Sequence, residues 1–328
     1  LSDAVQAVEA APDLSFELLA FRIQFKAKDS IYFPPGKSGN IVRGAFGSIF
    51  RQIVCIPQCH DAQACEQRPS CPYARIFEPA QPPATEGPSG LHDWPRPFVF
   101  RAAHLDGRTI EPGEKFHFDV HLFDLKDPAI VYFVLAFAEL TKEGIGPRRG
   151  RADLVRVDQL GPDGANAAQL YDGSAFLMTE LMAPIRLELG NATDPVSKVL
   201  VRFTTPTELK HGQLLATRPE FEALFGRIRD RLSTLRTLYG PGPLPIDHQA
   251  MGERATKVNL ARLKIDFSAA ERRSAKTGER HPLGGFVGEA EYQGELTEFL
   301  PYLHAGWWVG VGRQTVWGKG VIETKVIA

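Results

Sequence analysis

Three methionines, four cysteines and a net charge of −1 across 328 residues are the scarcities that bound this chain. No apolar run reaches the roughly 20 residues that a bilayer-crossing helix needs, so no membrane partner is expected. The near-balance of 38 Lys/Arg against 39 Asp/Glu excludes recognition of a polyanion by overall charge. It leaves local patches open, because salt confines the field of a charge to about 10 Å. The N-terminal LSDAVQAVEAAPD is acidic and has no basic stretch ahead of an apolar one, so it does not read as a secretory signal. A cytoplasmic protein is expected. Histidine is missing from Ser15 to Val54, a gap that matters once the chemistry is considered.

The composition that remains is that of a folded protein, with 43% apolar residues, enough for two ordinary cores. Charge is segmental. Residues 254–281 carry eight Lys/Arg against three Asp/Glu, and residues 142–156 carry five against two. The four cysteines, Cys55, Cys59, Cys65 and Cys71, fall within one seventeen-residue span. Thiols gathered in a polar loop of a cytoplasmic chain suggest a tetrahedral site, most often structural zinc, with His60 able to replace one sulfur. An iron–sulfur cluster uses the same ligands, and free thiols or late-formed disulfides are the alternatives.

Hydrophobic periodicity orders the elements. Phe16–Lys26 alternates as a strand, with Leu19, Phe21, Ile23 and Phe25 on one face. Asn40 is placed to cap a helix over 41–55 whose stripe is Ile41, Val42, Ala45, Phe46, Ile49, Phe50 and Ile53. Gly44 and Gly47 lie inside that helix at about 1 kcal/mol each relative to alanine, so a close approach to their surface is expected. Strands PFVFRA and KFHFDVHLF follow, the second placing His117 and His121 together on a solvated face. Asp127 with Pro128 opens a helix, and GIGPRRGRADLVRV is a basic turn and a strand. After residues 189–195, a linker-like stretch, the order repeats: strand at 197–209, a helix capped by Thr217 and Glu220, strands at 258–270 and 284–294, a short helix and a last strand. This is strand, helix, two strands, helix, strand, written twice, and predicts an α+β chain of tandem ferredoxin-like domains at 12–187 and 196–328.

The stretch from 283 to 320 holds nine of the 30 glycines and three of the four tryptophans. Its GVGRQTVWGKG sets Arg313 and Lys319 among Gly310, Gly312, Gly318 and Gly320. Glycines let consecutive N–H groups converge on an anion, so a phosphate nest is one expectation and a sheet-closing turn with solvated cations the other.

Taken in order, RGAFG, the cysteine cluster running into CPYARIFEP, GIGPRRGR, VRFTTPTEL, PLGGFVGEAEYQGELTEFLPYL and GVGRQTVWGKG resemble the CRISPR precursor-RNA processing endoribonucleases of the RAMP superfamily. The resemblance covers most of the chain. It implies binding of the repeat hairpin of precursor CRISPR RNA and cleavage at its base without a metal, by 2′-hydroxyl attack that leaves a 2′,3′-cyclic phosphate. Such chemistry needs a proton acceptor, cations around the transition state and an acid for the leaving oxygen. Relatives commonly place a histidine near the first helix or the glycine loop; this chain has none there, and Arg or Lys takes that place at the cost of slow turnover. The catalytic candidates are Lys37, Arg43, Tyr32 and His281. Arg148, Arg149, Arg151, Arg272, Arg273, Lys276 and Arg280, with the glycine loop, are the phosphate-contact candidates. Two alternatives stand beside this reading: a non-catalytic guide-RNA-binding subunit of a CRISPR effector complex, and a metal- or redox-responsive module built on the cysteines.

Overall fold

The computed structural model describes residues 13–56, 59, 62, 65–79, 94–127, 129–177, 183–190, 194–212, 214–268, 271–273, 280–282 and 284–327. The first half comprises β1 (Ser15–Ala27), β2 (Ile31–Tyr32), α1 (Ser38–Val54), α2 (Pro72–Ile76), β3 (Phe98–Arg101), β4 (Thr109–Ile110), β5 (Lys115–Leu122), α3 (Ile130–Glu143), β6 (Ala152–Leu160), β7 (Asn166–Tyr171) and β8 (Ile185–Glu188). The second comprises β9 (Lys198–Thr207), β10 (Lys210–His211), β11 (Leu214–Leu215), α4 (Phe221–Tyr239), α5 (His248–Ala255), β12 (Asn259–Ser268), β13 (Glu271–Arg273), β14 (Arg280–Pro282), β15 (Gly285–Gln293), α6 (Leu300–Val309) and β16 (Ile322–Val326).

The first sheet runs β3-β5-β1-β6-β7, with β8 also paired to β1, and the second runs β12-β15-β9-β16. Counting only the strands of the repeated unit, both orders are second, third, first, fourth, and every ladder is antiparallel. The fold is therefore the tandem ferredoxin-like α+β arrangement that the alternation pattern predicts.

One face of the first sheet packs under α1 and α3 through Phe21, Ile23, Phe25, Phe98, Phe100, Phe116 and Phe118. Phe46 of α1 stacks on Phe133 of α3 at 4.1 Å between ring centroids, at the centre of this core. Its truncation to alanine belongs to the class that costs about 3–5 kcal/mol. The opposite face is not solvated. Phe16, Leu18, Ala20, Val99 and Phe123 share a second core with Leu224, Phe225, Ile228, Leu303 and Trp308 of the C-terminal half. His121 points into that core and is fully buried, which overturns the solvated-pair expectation for His117 and His121. Burying a neutral imidazole is tolerated because its Nδ1 donates to the Trp308 carbonyl at 2.8 Å. His117 stacks instead on His104 at 4.6 Å.

Element boundaries shift where tertiary partners outbid local signals. Helix α1 starts at Ser38 rather than after Asn40, with Lys37 at its N-cap position, because the Asp106 carboxylate accepts from Ser38 N at 2.9 Å. Ile53 ends up exposed. Helix α3 starts at Ile130 with Ala129 before it; Pro128 lies outside the described residues, and Asp127 pairs with Arg75 at 2.7 Å. No capping box forms at α4, whose first residue is Phe221. The basic stretch after β12 is the hairpin β13–β14 rather than a plain loop.

Candidate active site and RNA interface

The segment after α6 crosses from the second domain to the first helix. Gly318 lies 3.4 Å from Gly39 Cα, measured from where a Cβ would be, and a Cβ on Gly39 would come within 2.5 Å of the Trp317 carbonyl oxygen. Gly39 is thus the glycine of α1 that meets the glycine loop. Gly47 explains the second close approach, since the Phe77 ring fills the space a side chain would need, while around Gly44 there is open space.

Lys319 closes this junction. Its Nζ donates to the Gly36 carbonyl at 2.9 Å, one residue before Lys37, and only 3% of the residue is exposed. Burial holds its pKa below the ordinary lysine value, partly offset by the Asp106 carboxylate. The half-buried Lys37 stands at the N-terminal end of α1, where the helix dipole adds partial positive charge. Arg43, nearly two turns further on, lies with its guanidinium 4.2 Å from the Phe77 ring centroid and 5.6 Å from that of Trp317. It is wedged between the two domains as a cation–π contact.

Tyr32 is 39% exposed on the small β2–β4 ladder. The basic turn between α3 and β6 packs beside it: a Cβ on Gly146 would touch the Tyr32 carbonyl at 3.0 Å, and one on Gly150 would meet the Ser30 carbonyl at 2.7 Å. Arg148 and Arg149 are exposed on that turn, Arg149 at a φ of 51° and 3.4 Å from Glu143. Arg151 forks onto Asp29 at 2.8 and 3.3 Å, so its charge is already engaged. Lys37, Lys319, Tyr32 and the turn 145–151 therefore lie along one contiguous stretch of structure. Arg272, Arg273, Arg280 and His281 belong to another place, the β13–β14 hairpin, with Arg272 opposite His281 and Arg273 opposite Arg280. Lys276 lies outside the described residues.

The nest expectation for the glycine loop is corrected in its geometry. Val311 N donates to Gly320 O, Arg313 N to Glu208 O, Trp317 N to Gln314 O, Gly318 N to Thr315 O and Gly320 N to Pro206 O, so these N–H groups are consumed internally. The glycines are needed for packing: Gly312 and Gly320 hold φ of 77° and 67°, where a Cβ would come within 2.3 Å of Glu208 O and 1.9 Å of Val311 O. Arg313 is bound to Glu208 at 2.5 Å. What the loop presents across the domain boundary is Lys319 and Trp317 rather than a concavity of amides.

At the far end of α1 all four cysteines are free. Cys59 is within hydrogen-bonding reach of both Cys55 and Cys65, and Cys71 is close enough to act on Cys55, whose thiol burial and its thiol neighbours push up to about 11. The donor set suits zinc, although among the described residues no three such side chains enclose a common point.

Two family models match the chain in succession. AF_1859_N, an N-terminal domain, covers residues 16–182, and CRISPR-associated endoribonuclease Cas6 covers residues 201–322. Residues 201–322 are thus a Cas6-type CRISPR endoribonuclease domain. Its architecture is shared with a Cas6 product complex (16% identity, TM-score 0.55, 94% of this chain and 99% of that one). Thermus thermophilus Cas6 is similar to the same degree (16% identity, TM-score 0.52, 96% and 100%). A partial Cas6-RT-Cas1–Cas2 complex matches at 12% identity and TM-score 0.54, over 95% of this chain and 46% of that one. An uncharacterized protein of Archaeoglobus fulgidus is 22% identical over 94% of this chain and its own full length. The domain match, with the shared fold, supports an RNA endonuclease acting in CRISPR RNA processing.

Proposed function

We propose that the chain cuts the repeat hairpin of precursor CRISPR RNA at its base by attack of a 2′-hydroxyl on the adjacent phosphate, with no metal in the reaction, giving a 2′,3′-cyclic phosphate and a 5′-hydroxyl. The observation that supports this reading is the meeting of the glycine loop with the N-terminal end of α1, through Lys319 Nζ on Gly36 O and Gly318 against Gly39. It sets Lys37 and the α1 dipole beside the loop, with the exposed Tyr32 five residues earlier in the chain, as the groups that would meet the negative charge on a pentacoordinate phosphate. Lysine supplies charge stabilisation and is a poor proton acceptor near neutrality, so the missing histidine predicts slow, single-turnover cutting and retention of the guide for hand-over to an effector complex. The exposed Arg148 and Arg149, on the turn beside Tyr32, would follow the backbone of the stem.

The test is incubation with repeat RNA in excess EDTA, beside the same RNA carrying one 2′-deoxy nucleotide 5′ of the scissile phosphate. Cleavage of the first and none of the second is expected. Cleavage of both would exclude 2′-hydroxyl attack. Binding of both without cleavage would favour the second reading, a guide-RNA-binding subunit, which the absence of histidine from Ser15 to Val54 motivates.

The cysteine cluster is proposed as a zinc staple remote from the chemistry. A stoichiometric zinc in the purified protein is expected, and its removal with a thiol-selective reagent should lower the melting temperature, because metal binding energy is folding energy. Metal-free protein with four titratable thiols and an unchanged melting temperature would overturn it.

A further inference from the structure

The last turn of α6 ends in a group of cations that the proposed chemistry does not use. Arg101, at the end of β3, sends Nη2 to the Trp307 carbonyl at 2.6 Å and the Trp308 carbonyl at 3.0 Å. His121, on β5, donates Nδ1 to the same Trp308 carbonyl, and Arg231, on α4, donates Nε to the Val309 carbonyl at 2.9 Å. Arg101 is 9% exposed and His121 not at all. Among the described residues no carboxylate pairs with any of the three; the nearby Asp119 is engaged by Arg22 at 2.9 Å. Burial, with Arg231 adding repulsion, holds Arg101 down at about 9, and burial holds His121 down at about 3, so the histidine is neutral at physiological pH.

A buried arginine and a half-buried one without a carboxylate are a poor means of stabilising a core. Their compensation here is the negative end of a helix, whose terminal carbonyls have no partner within the helix. That helix end is the root of the glycine loop: Val309 is followed by Gly310 at a φ of 76°. The residue before Arg101 reaches the loop as well, since the Phe100 carbonyl oxygen lies 3.5 Å from where a Gly318 Cβ would be. The end of β3 thus touches both the start of the loop and its crossing point with α1.

We infer that Arg101 is a positioning residue for RNA cleavage: its guanidinium, supported by His121, fixes the root of the glycine loop on the first domain and so holds Lys319 and Gly318 in register with Lys37. This rests on the proposed place of the reaction and touches no RNA itself. Arg101→Ala is expected to slow single-turnover cleavage about 100-fold, the scale of an ångström-sized misplacement, with RNA affinity little changed. Millimolar guanidinium, which can refill the space against the two carbonyls, should restore part of the rate where equal sodium chloride does not. Amide hydrogen exchange of residues 310–320 should accelerate while β9 and β15 keep their protection. Arg101→Lys keeps the charge but loses the fork, should fold where the alanine variant does not, and is expected to be intermediate in rate and exchange. Wild-type cleavage by both variants, or unchanged exchange of the loop, would overturn the inference. If the unmodified protein cuts no repeat RNA and the exchange change is still seen, the clamp stands and the proposed reaction is what fails.

Discussion

Lys37→Ala is expected to slow repeat cleavage by about 10²–10³-fold, the usual result of removing one preorganised donor from a developing negative charge. Lys37 is at the first position outside α1, beside the carbonyl that Lys319 holds, and α1 begins there because Asp106 takes the Ser38 amide. The side chain makes no contribution to either core, so the variant should fold and melt as the parent does. RNA affinity should fall only modestly, since phosphate contacts are spread over many cations. Lys37→Arg, which keeps the charge, should retain a substantial part of the rate. Single-turnover cleavage beside filter binding separates the two effects; unchanged cleavage by the alanine variant would remove Lys37 from the reaction.

Gly39→Ala should have the second largest effect. Its methyl group would lie 2.5 Å from the Trp317 carbonyl oxygen and 3.1 Å from Gly318 Cα, against backbone on a crossing that the Lys319 to Gly36 bond also pins. The loop must retreat from α1, at about 1–3 kcal/mol of stability, and the separation of Lys319 from Lys37 should lower cleavage about 100-fold. Gly44→Ala is the matched control. It is in the same helix with nothing within 4 Å, and alanine there should add about 1 kcal/mol of stability and leave cleavage intact. Equal behaviour of the two variants in thermal melts and cleavage would show that the loop does not rest on α1 in solution.

Gly44 and Gly47 mark how far the sequence could be read. Both stand inside an apolar stripe that announces a helix, and both signal that something comes close. Nothing local distinguishes Gly44, which faces space, from Gly47, covered by Phe77, or from Gly39, outside the expected helix altogether. The cations were legible as patches and illegible as partners. Arg151 is spent on Asp29, 122 residues earlier in the chain, and Arg313 on Glu208, 105 residues earlier, while Arg148 and Arg149 remain exposed.

By itself the sequence determined the doubled strand and helix order, because alternation at period 2 and stripes at period 3.6 are local consequences of backbone geometry. It determined the composition of the glycine loop and the gap in histidine at α1 as well. Only the tertiary structure decided which faces are dry. The second domain covers the back of the first sheet, and that turns His121 from an expected surface residue into a buried donor to α6 and commits Arg101 to the helix-end carbonyls of Trp307 and Trp308. The same docking brings Lys319 to Gly36, 283 residues apart in the chain, while five of the glycine loop's amides are spent within the second domain, on the loop itself and on Pro206 and Glu208. Such contacts are long-range and set by the shape of two packed domains, so no periodicity in the chain encodes them.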